Sequence, residues 1–248
     1  MFPTVSNTVG KQIAVSKIVQ FDEQVDNAVK DESYQEALDN GEIDNEGYPI
    51  DNSGNRVSQG NSQNSAPLLF KPDLDRLYKD SVAYNENLKE NQGSLLTDSF
   101  SYVSPTIDLT DYGIFNGIYG YITAPSIDMN LPIYLGASEA NMRYGAAHLT
   151  YTSLPIGGEK TNTVLAGHTG YIGRIFFDNI RNLQIGDEVS LTNYWYIITY
   201  KVVEKEIYAP NQSQAVFIND NRDLLTMITC VSDGKGGFNR YYVICERS

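Results

Sequence analysis

Basic side chains are scarce in this chain, with 18 Lys and Arg against 31 Asp and Glu and a net charge of −13. That balance argues against nucleic acid and anionic membrane surfaces as partners, because both demand basic patches. Apolar runs long enough to span a bilayer are missing, and no signal peptide is legible. No repeat with a period of about 20 to 50 residues is visible, which excludes solenoid architectures. Histidine and cysteine are scarce, two of each, which makes the search for a thiol nucleophile and an imidazole proton carrier short.

What is present describes a folded protein. Hydrophobic residues make up 41% and tyrosine alone contributes 18 positions, far from the composition of a disordered chain. A length of 248 residues suffices for one large domain or two small ones.

Residues 1 to 10, MFPTVSNTVG, show no helical periodicity. From Lys11 a weak amphipathic pattern (Ile13, Val15, Ile18, Val19, Val25, Val29) predicts a mostly helical stretch from Ile13 to Leu38. Residues 40–66 are rich in Gly, Asn, Ser and Asp, and read as a surface excursion or mobile insertion. Pro72 and Asp73 then make an N-terminal signal for a helix over Asp73 to Asn91, with Gly93 as its stop. Residues 94–114 mix turn formers and aromatics, as an ordered loop does.

From Gly117 onward the pattern becomes β. Seven or eight short runs of Val, Ile, Thr and Tyr alternate with turn signals such as 155–158 and 185–187, interrupted by two helical-looking pieces at 138–145 and 172–183. So many short strands imply a closed barrel or a sandwich.

The last two runs form the most informative stretch, 224–240, LLTMITCVSDGKGGFNR. An apolar strand ends on Cys230, a Gly-rich loop follows, and Arg240 opens the next strand, so a hairpin sets Cys230 opposite Arg240. The same register pairs Cys245 near Leu225, about five residues or roughly 16 Å along the strand from Cys230. That exceeds the reach of a disulfide, so two free thiols are expected.

Two readings of Cys230 stand side by side: a small buried hydrophobe, and a catalytic thiolate that needs a cation and a proton carrier nearby. Either histidine could be a hydrogen-bonded structural imidazole. His168, however, ends the predicted strand Asn162 to His168 and precedes a Thr-Gly loop, whereas His148 lies among small residues. Arg240 offers a permanent cation with donors for an oxyanion, or is a solvent-facing strand residue.

The order of a strand ending in His, an apolar strand ending in Thr-Cys, and an Arg about ten residues on resembles the sortases, cysteine transpeptidases of Gram-positive cell surfaces. Their TLxTC signature is met by Thr226-Met227-Ile228-Thr229-Cys230, with Met in place of Leu. The blocks at 119–138 and 145–170 are similar to sortases as well. The resemblance implies a mainly β protein built on a closed seven- to eight-stranded barrel with short helices, preceded by an N-terminal helical segment and a lid loop. It divides the chain into residues 1–116, which hold the helices, the 40–66 insertion and a candidate lid at 93–104, and a catalytic barrel at 117–248.

By the same resemblance Cys230 is the nucleophile, His168 the acid/base and Arg240 the essential arginine, with no cofactor and no metal, while His148 is structural. The helices before the barrel are most like the class C pilus-assembling sortases. In that class an Asp-Pro-aromatic lid pairs its Asp with the Arg and covers the Cys with its ring. Here Asp98-Ser99-Phe100 stands in that place, with Ser for Pro, which leaves the lid less rigid.

The implied substrate is an LPxTG-like sorting signal, cleaved between Thr and Gly. The implied acceptor is an amine, a pilin lysine or, in the class B and housekeeping branches, peptidoglycan. A cysteine protease that admits water and a non-catalytic surface-binding β-domain are the other readings; papain-like proteases place their Cys before their His. The expected location is the outer face of the Gram-positive membrane, with an anchor helix preceding the FPTVSN segment and a second one, common in class C, beyond Ser248.

Overall fold

The computed structural model describes residues 2–30, 37–44, 50–56, 72–95, 104–170, 176–219 and 221–248. Eight strands close into one barrel: β1 (Ile118–Ala124), β2 (Met129–Leu135), β3 (Ala146–His148), β4 (Thr161–Ala166), β5 (Glu188–Asn193), β6 (Ile197–Tyr208), β7 (Asp223–Ser232) and β8 (Phe238–Arg247). Around the barrel the order is β1-β2-β3-β4-β7-β8-β6-β5. The β2/β3 and β4/β7 pairs are parallel and the rest antiparallel. The expected closed barrel is therefore present, with β3 added from the small-residue segment around His148, where no strand was expected.

Strand β7 shows why its sequence is apolar without alternation. Its six residues Leu224 to Thr229 are all buried. Leu225 and Met227 point into the barrel beside Leu165, Tyr200 and Val243. Ile228 points outward and is covered by Val216, in the connection between β6 and β7, together with Val164, Ala166 and Tyr242. A strand packed on both faces reads as a continuous hydrophobic run.

At the far end of β7 from Cys230, the Asp223 carboxylate accepts hydrogen bonds from Gly158 N (2.8 Å), Thr161 Oγ1 (3.3 Å), Tyr200 Oη (3.1 Å) and Arg247 Nη1 (3.1 Å). One largely buried anion thereby joins β4, β6, β7 and β8, and its four donors offset the cost of desolvating it.

Two long helices pack outside the barrel. Helix α1 spans Phe2–Lys30, so it begins eleven residues before the expected start at Ile13. Pro3 sits in its first turn, where the missing N–H has no intrahelical partner to lose. It is described to Lys30, residues 31–36 lie outside the described set, and 37–39 are helical again up to the expected end near Leu38. Ala14, Ile18 and Phe21 form its buried stripe, with the Phe21 ring edge-on to Tyr121 at 5.9 Å and tilted against Tyr194 at 4.7 Å.

Helix α2 spans Leu74–Leu95 and runs through Gly93, which was expected to stop it. A glycine in a helix costs only about 1 kcal/mol relative to Ala, less than the packing of the helix supplies. Its buried stripe is half polar: Leu77 and Leu88 alternate with Ser81, Asn85 and Gln92. Ser81 bonds Tyr119 Oη at 2.8 Å, while Asn85 bonds both Leu154 N (2.7 Å) and Leu154 O (3.3 Å).

The helical pieces expected within the barrel are shorter than read. The first is α3, Glu139–Met142, capped by Ser138. The second is a 3-10 turn at Asp178–Asn182, with 171–175 outside the described residues. Within 40–66, residues 50–56 form a tight turn closed by an Ile50 to Arg56 bridge, and Ile43 is buried. The remainder of that insertion lies largely outside the described residues.

His148 in β3 is fully buried. Its Nε2–H donates to Ser153 O at 3.0 Å, while Nδ1 has no hydrogen-bond partner. Burial lowers its pKa from 6.5 to about 4, because the imidazolium would lose its hydration. The unfolded chain therefore binds a proton that the folded chain refuses. The stabilisation is fully present above about pH 6.5 and is lost as pH falls toward 4, on the order of 3 kcal/mol. Denaturant melts of the parent and of His148→Gln between pH 7 and 4 are expected to differ by a steeper fall in the parent.

Candidate active site

The β7/β8 hairpin sets the first half of the site. Its turn is built by Asp233, whose carboxylate accepts from Lys235 N (2.8 Å) and Gly237 N (2.9 Å). Gly234 and Gly236 take the left-handed φ values of 73° and 93° that this loop requires. The resulting register pairs Cys230 with Arg240 and Leu225 with Cys245, as the sequence predicted. Directly paired residues share a face of the sheet. Arg240 Nη1 donates to Cys230 Sγ at 3.2 Å, which places a permanent positive charge against the sulfur. Both residues are half-buried, open to solvent on the outer side of the barrel.

The second half comes from β4, parallel to β7. Ala166 is level with Ile228, and Gly167 N extends the ladder by donating to Ile228 O at 3.2 Å. The same offset, carried two residues past the end of β4, would set His168 level with Cys230. The strand itself ends at Ala166, two residues before His168, so the imidazole sits on the loop that leaves the sheet. His168 is half-buried. Three adjacent chain segments thus present His168, Cys230 and Arg240 in a row.

Behind that row the His168 loop is held from inside the barrel. Thr229 Oγ1 donates to Gly167 O at 2.8 Å, and Phe177 N donates to His168 O at 3.2 Å. Gly170 N donates to Asp178 Oδ1 at 2.9 Å. A Cβ on Gly167 would lie 2.5 Å from the Phe177 ring, which is fully buried, so only glycine fits there. Sequence reading had given Thr229, Gly167 and Phe177 no part in the site. The signal lay in the Ala-Gly-His order at the strand end, where a Gly marks close approach of another group.

A family model for the sortase domain matches residues 122–248, about half of the chain and all eight strands but the start of β1. The chain belongs to the sortase family. Among curated relatives, Sortase A of Bacillus anthracis is 32% identical over 126 residues, 51% of this chain and 58% of that protein. Sortase A of Listeria monocytogenes is 29% identical over 147 residues, 57% of this chain and 64% of that one. This sortase therefore spans less than two-thirds of the length of those relatives.

The solved structures it resembles are of another branch. A pilus-related sortase C of Group B Streptococcus matches with a TM-score of 0.62 and 28% identity, over 71% of this chain and 89% of that one. Streptococcus agalactiae sortase C1, in complex with MTSET, gives 0.62 and 26% over 71% and 89%. Sortases act at the Gram-positive cell envelope. Among the described residues of this sortase, no helix is long and apolar enough to cross a membrane.

Both cysteines of this sortase are free, as expected from their register. Cys245 points into the barrel, and burial pushes its thiol pKa up to about 12. An alkylating reagent at neutral pH is thus expected to modify one thiol per native chain, Cys230, and two after denaturation; mass spectrometry of the two samples checks it. The candidate lid residues Asp98 and Phe100 lie outside the described residues, as do 96–103 as a whole.

Proposed function

We propose that this sortase cleaves an LPxTG-like sorting signal and passes its acyl group to a lysine amine of a pilin, so building a covalent pilus. The observation that carries this reading is the row of His168, Cys230 and Arg240, with the guanidinium 3.2 Å from the sulfur.

In this mechanism the Cys230 thiolate attacks the Thr carbonyl carbon of the Thr-Gly bond. Arg240 donates to the carbonyl oxygen as it becomes an oxyanion. His168 gives a proton to the departing glycine amine, the C–N bond breaks, and a thioester remains on Cys230. His168 then takes a proton from the incoming amine, which attacks the thioester and releases the thiolate, as one group serving both directions must. The thioester keeps the acyl group activated, so no residue in the row calls for a nucleotide or metal.

The pilus reading is supported by the likeness to pilus-related sortase C and by the helices packed ahead of the barrel. The curated relatives named Sortase A favour a second reading, anchoring of surface proteins to peptidoglycan. Incubation with an LPxTG-type peptide and equal amounts of a pilin-like lysine peptide and a peptidoglycan stem-peptide amine separates them. An isopeptide adduct to the lysine supports pilus assembly, an adduct to the stem peptide supports anchoring, and hydrolysis alone makes the chain a thiol protease. No cleavage at all would leave a binding domain. Asp98 and Phe100 act in this proposal as a lid over Arg240 and Cys230, so Asp98→Ala or Phe100→Ala speeds alkylation of Cys230; an unchanged rate removes the lid.

A further inference from the structure

The sheet face that carries Cys230 and Arg240 continues below them as Ile228 and Tyr242, and Val216 of the β6–β7 connection packs against both. Half-buried Tyr151, Phe217 and Tyr208 surround that cluster. Two loops cover that cluster below Cys230, the one after β3 through Tyr151 and the one before β7 through Ala215–Ile218, and so border the approach to Cys230 on this side. Loops carry unpaired backbone groups and are mobile unless something satisfies those groups.

Here two buried side-chain amides do so. Gln92 on α2, only 5% exposed, donates through Nε2 to Tyr151 O (3.0 Å) and Val216 O (3.3 Å), and its Oε1 accepts from Ile218 N (2.7 Å). Asn162 on β4, fully buried, donates through Nδ2 to Ala215 O and Phe217 O, both at 3.0 Å, while its Oδ1 accepts from Thr226 Oγ1 at 2.9 Å. The carbonyls of Ala215, Val216 and Phe217 and the N–H of Ile218 are thus all bonded to these two side chains.

Tyr151 adds a second observation. It is held at φ 64°, a left-handed conformation unfavourable for a tyrosine. Its N–H donates to Tyr84 Oη at 3.1 Å and its carbonyl accepts from Gln92, so both its peptide groups are fixed from α2. Gln92 hydrogen-bonds to both loops.

We propose that Gln92 is a positioning residue for the sorting signal: by bridging Tyr151 to Val216 and Ile218 it holds the two loops at a fixed spacing, so that the groove leading to Cys230 is preformed. Asn162 seats the same β6–β7 segment on β4. The proposal rests on the function proposed above for its ligand, an extended apolar peptide. A preformed groove avoids the ordering cost that a mobile loop would impose on binding.

The test compares affinity with reactivity. A fluorescent LPxTG-type peptide is titrated into Cys230→Ala and into the double variant Cys230→Ala/Gln92→Leu, and Cys230 alkylation by iodoacetamide is timed in the parent and in Gln92→Leu. Leu removes three hydrogen bonds at similar volume, taking from Ile218 N–H and the Tyr151 and Val216 carbonyls the partner that fixes them. The expected result is a dissociation constant raised about tenfold, with the alkylation rate unchanged and faster hydrogen exchange at 215–218 alone. In turnover the loss falls on KM rather than kcat. Gln92→Glu, which keeps the acceptor for Ile218 N and loses both donors, is expected to fall between the two.

Equal dissociation constants in the presence and absence of Gln92 would overturn the proposal, as would a peptide that does not bind Cys230→Ala. If Gln92→Leu fails to fold, the native protein still decides: an Ile218 amide that exchanges as fast as an exposed loop overturns it. Turnover by the parent chain is a separate readout, and its failure would strike the transpeptidase reading while the binding ratio still tests Gln92.

Discussion

Arg240→Lys is expected to fold as the parent does and to lose at least about a hundredfold in kcat/KM for the sorting signal. The positive charge survives this substitution, so the loss isolates geometry. A guanidinium is a rigid, planar fork of five donors, and its Nη1 sits 3.2 Å from Cys230 Sγ in a fixed orientation. An ammonium on a flexible stem is a single point charge, which can serve the sulfur or the oxygen but not both in a fixed relation.

The fold is safe because Arg240 is half-exposed at the start of β8 and its neighbours, Tyr208 on β6 and Cys230 on β7, pair with it through the backbone. Arg240→Ala is expected to fall further. Steady-state cleavage of a fluorogenic peptide, read beside the melting temperature, checks both. A Lys variant within tenfold of the parent would reduce Arg240 to a substrate-binding charge.

Gly167→Ala has the second large effect, through His168. The added methyl would overlap the Phe177 ring, 2.5 to 2.8 Å away, and that ring is fully buried in the barrel. Overpacking of this kind costs about 1 to 3 kcal/mol. Relief comes most readily by pushing the strand end outward, which stretches the Thr229 Oγ1 bond to Gly167 O and the Phe177 N bond to His168 O. The imidazole moves with them. A displacement near 1 Å at a reacting group costs about a hundredfold in rate, so transfer is expected to fall by that order while Cys230 remains fully alkylatable. The double variant Gly167→Ala/Phe177→Leu makes room for the methyl and is expected to recover most of the rate. A single variant with parental kcat and melting temperature would show that the ring yields instead of the loop.

These two residues differ in how visible they were beforehand. Arg240 could be set opposite Cys230 from the sequence because a hairpin is local: its turn residues fix the register, and the pairing then follows by counting along both strands. The two free cysteines follow from the same count. Gly167 carried only a hint, since what makes it necessary is the Phe177 ring, which the expected helical piece at 172–183 did not place against the end of β4. The start of α1 at Phe2 was hidden for a related reason. Among the described residues the helix is buried at Ala14, Ile18 and Phe21, a stripe that begins well after the helix does.

The polar stripe of α2 shows the limit most clearly. Gln92 and Asn85 look like solvent-facing helix residues in a sequence, because periodicity arguments count apolar side chains. Their burial depends on loop carbonyls and N–H groups around residues 151–154 and 216–218 that fold against them from more than 50 positions away.

By itself, then, the sequence determined what local rules govern: the strand-rich second half, the β7/β8 hairpin with Cys230 across from Arg240, and the chemical types able to act as nucleophile, acid and oxyanion donor. The tertiary structure alone decided that β4 runs parallel beside β7, with Ala166 level with Ile228 across 62 residues of chain, which brings the segment leading to His168 to the same end of the sheet as Cys230. Parallel strands are joined by long connections that specify no register. Theirs is set by the closure of the barrel and the packing of its core.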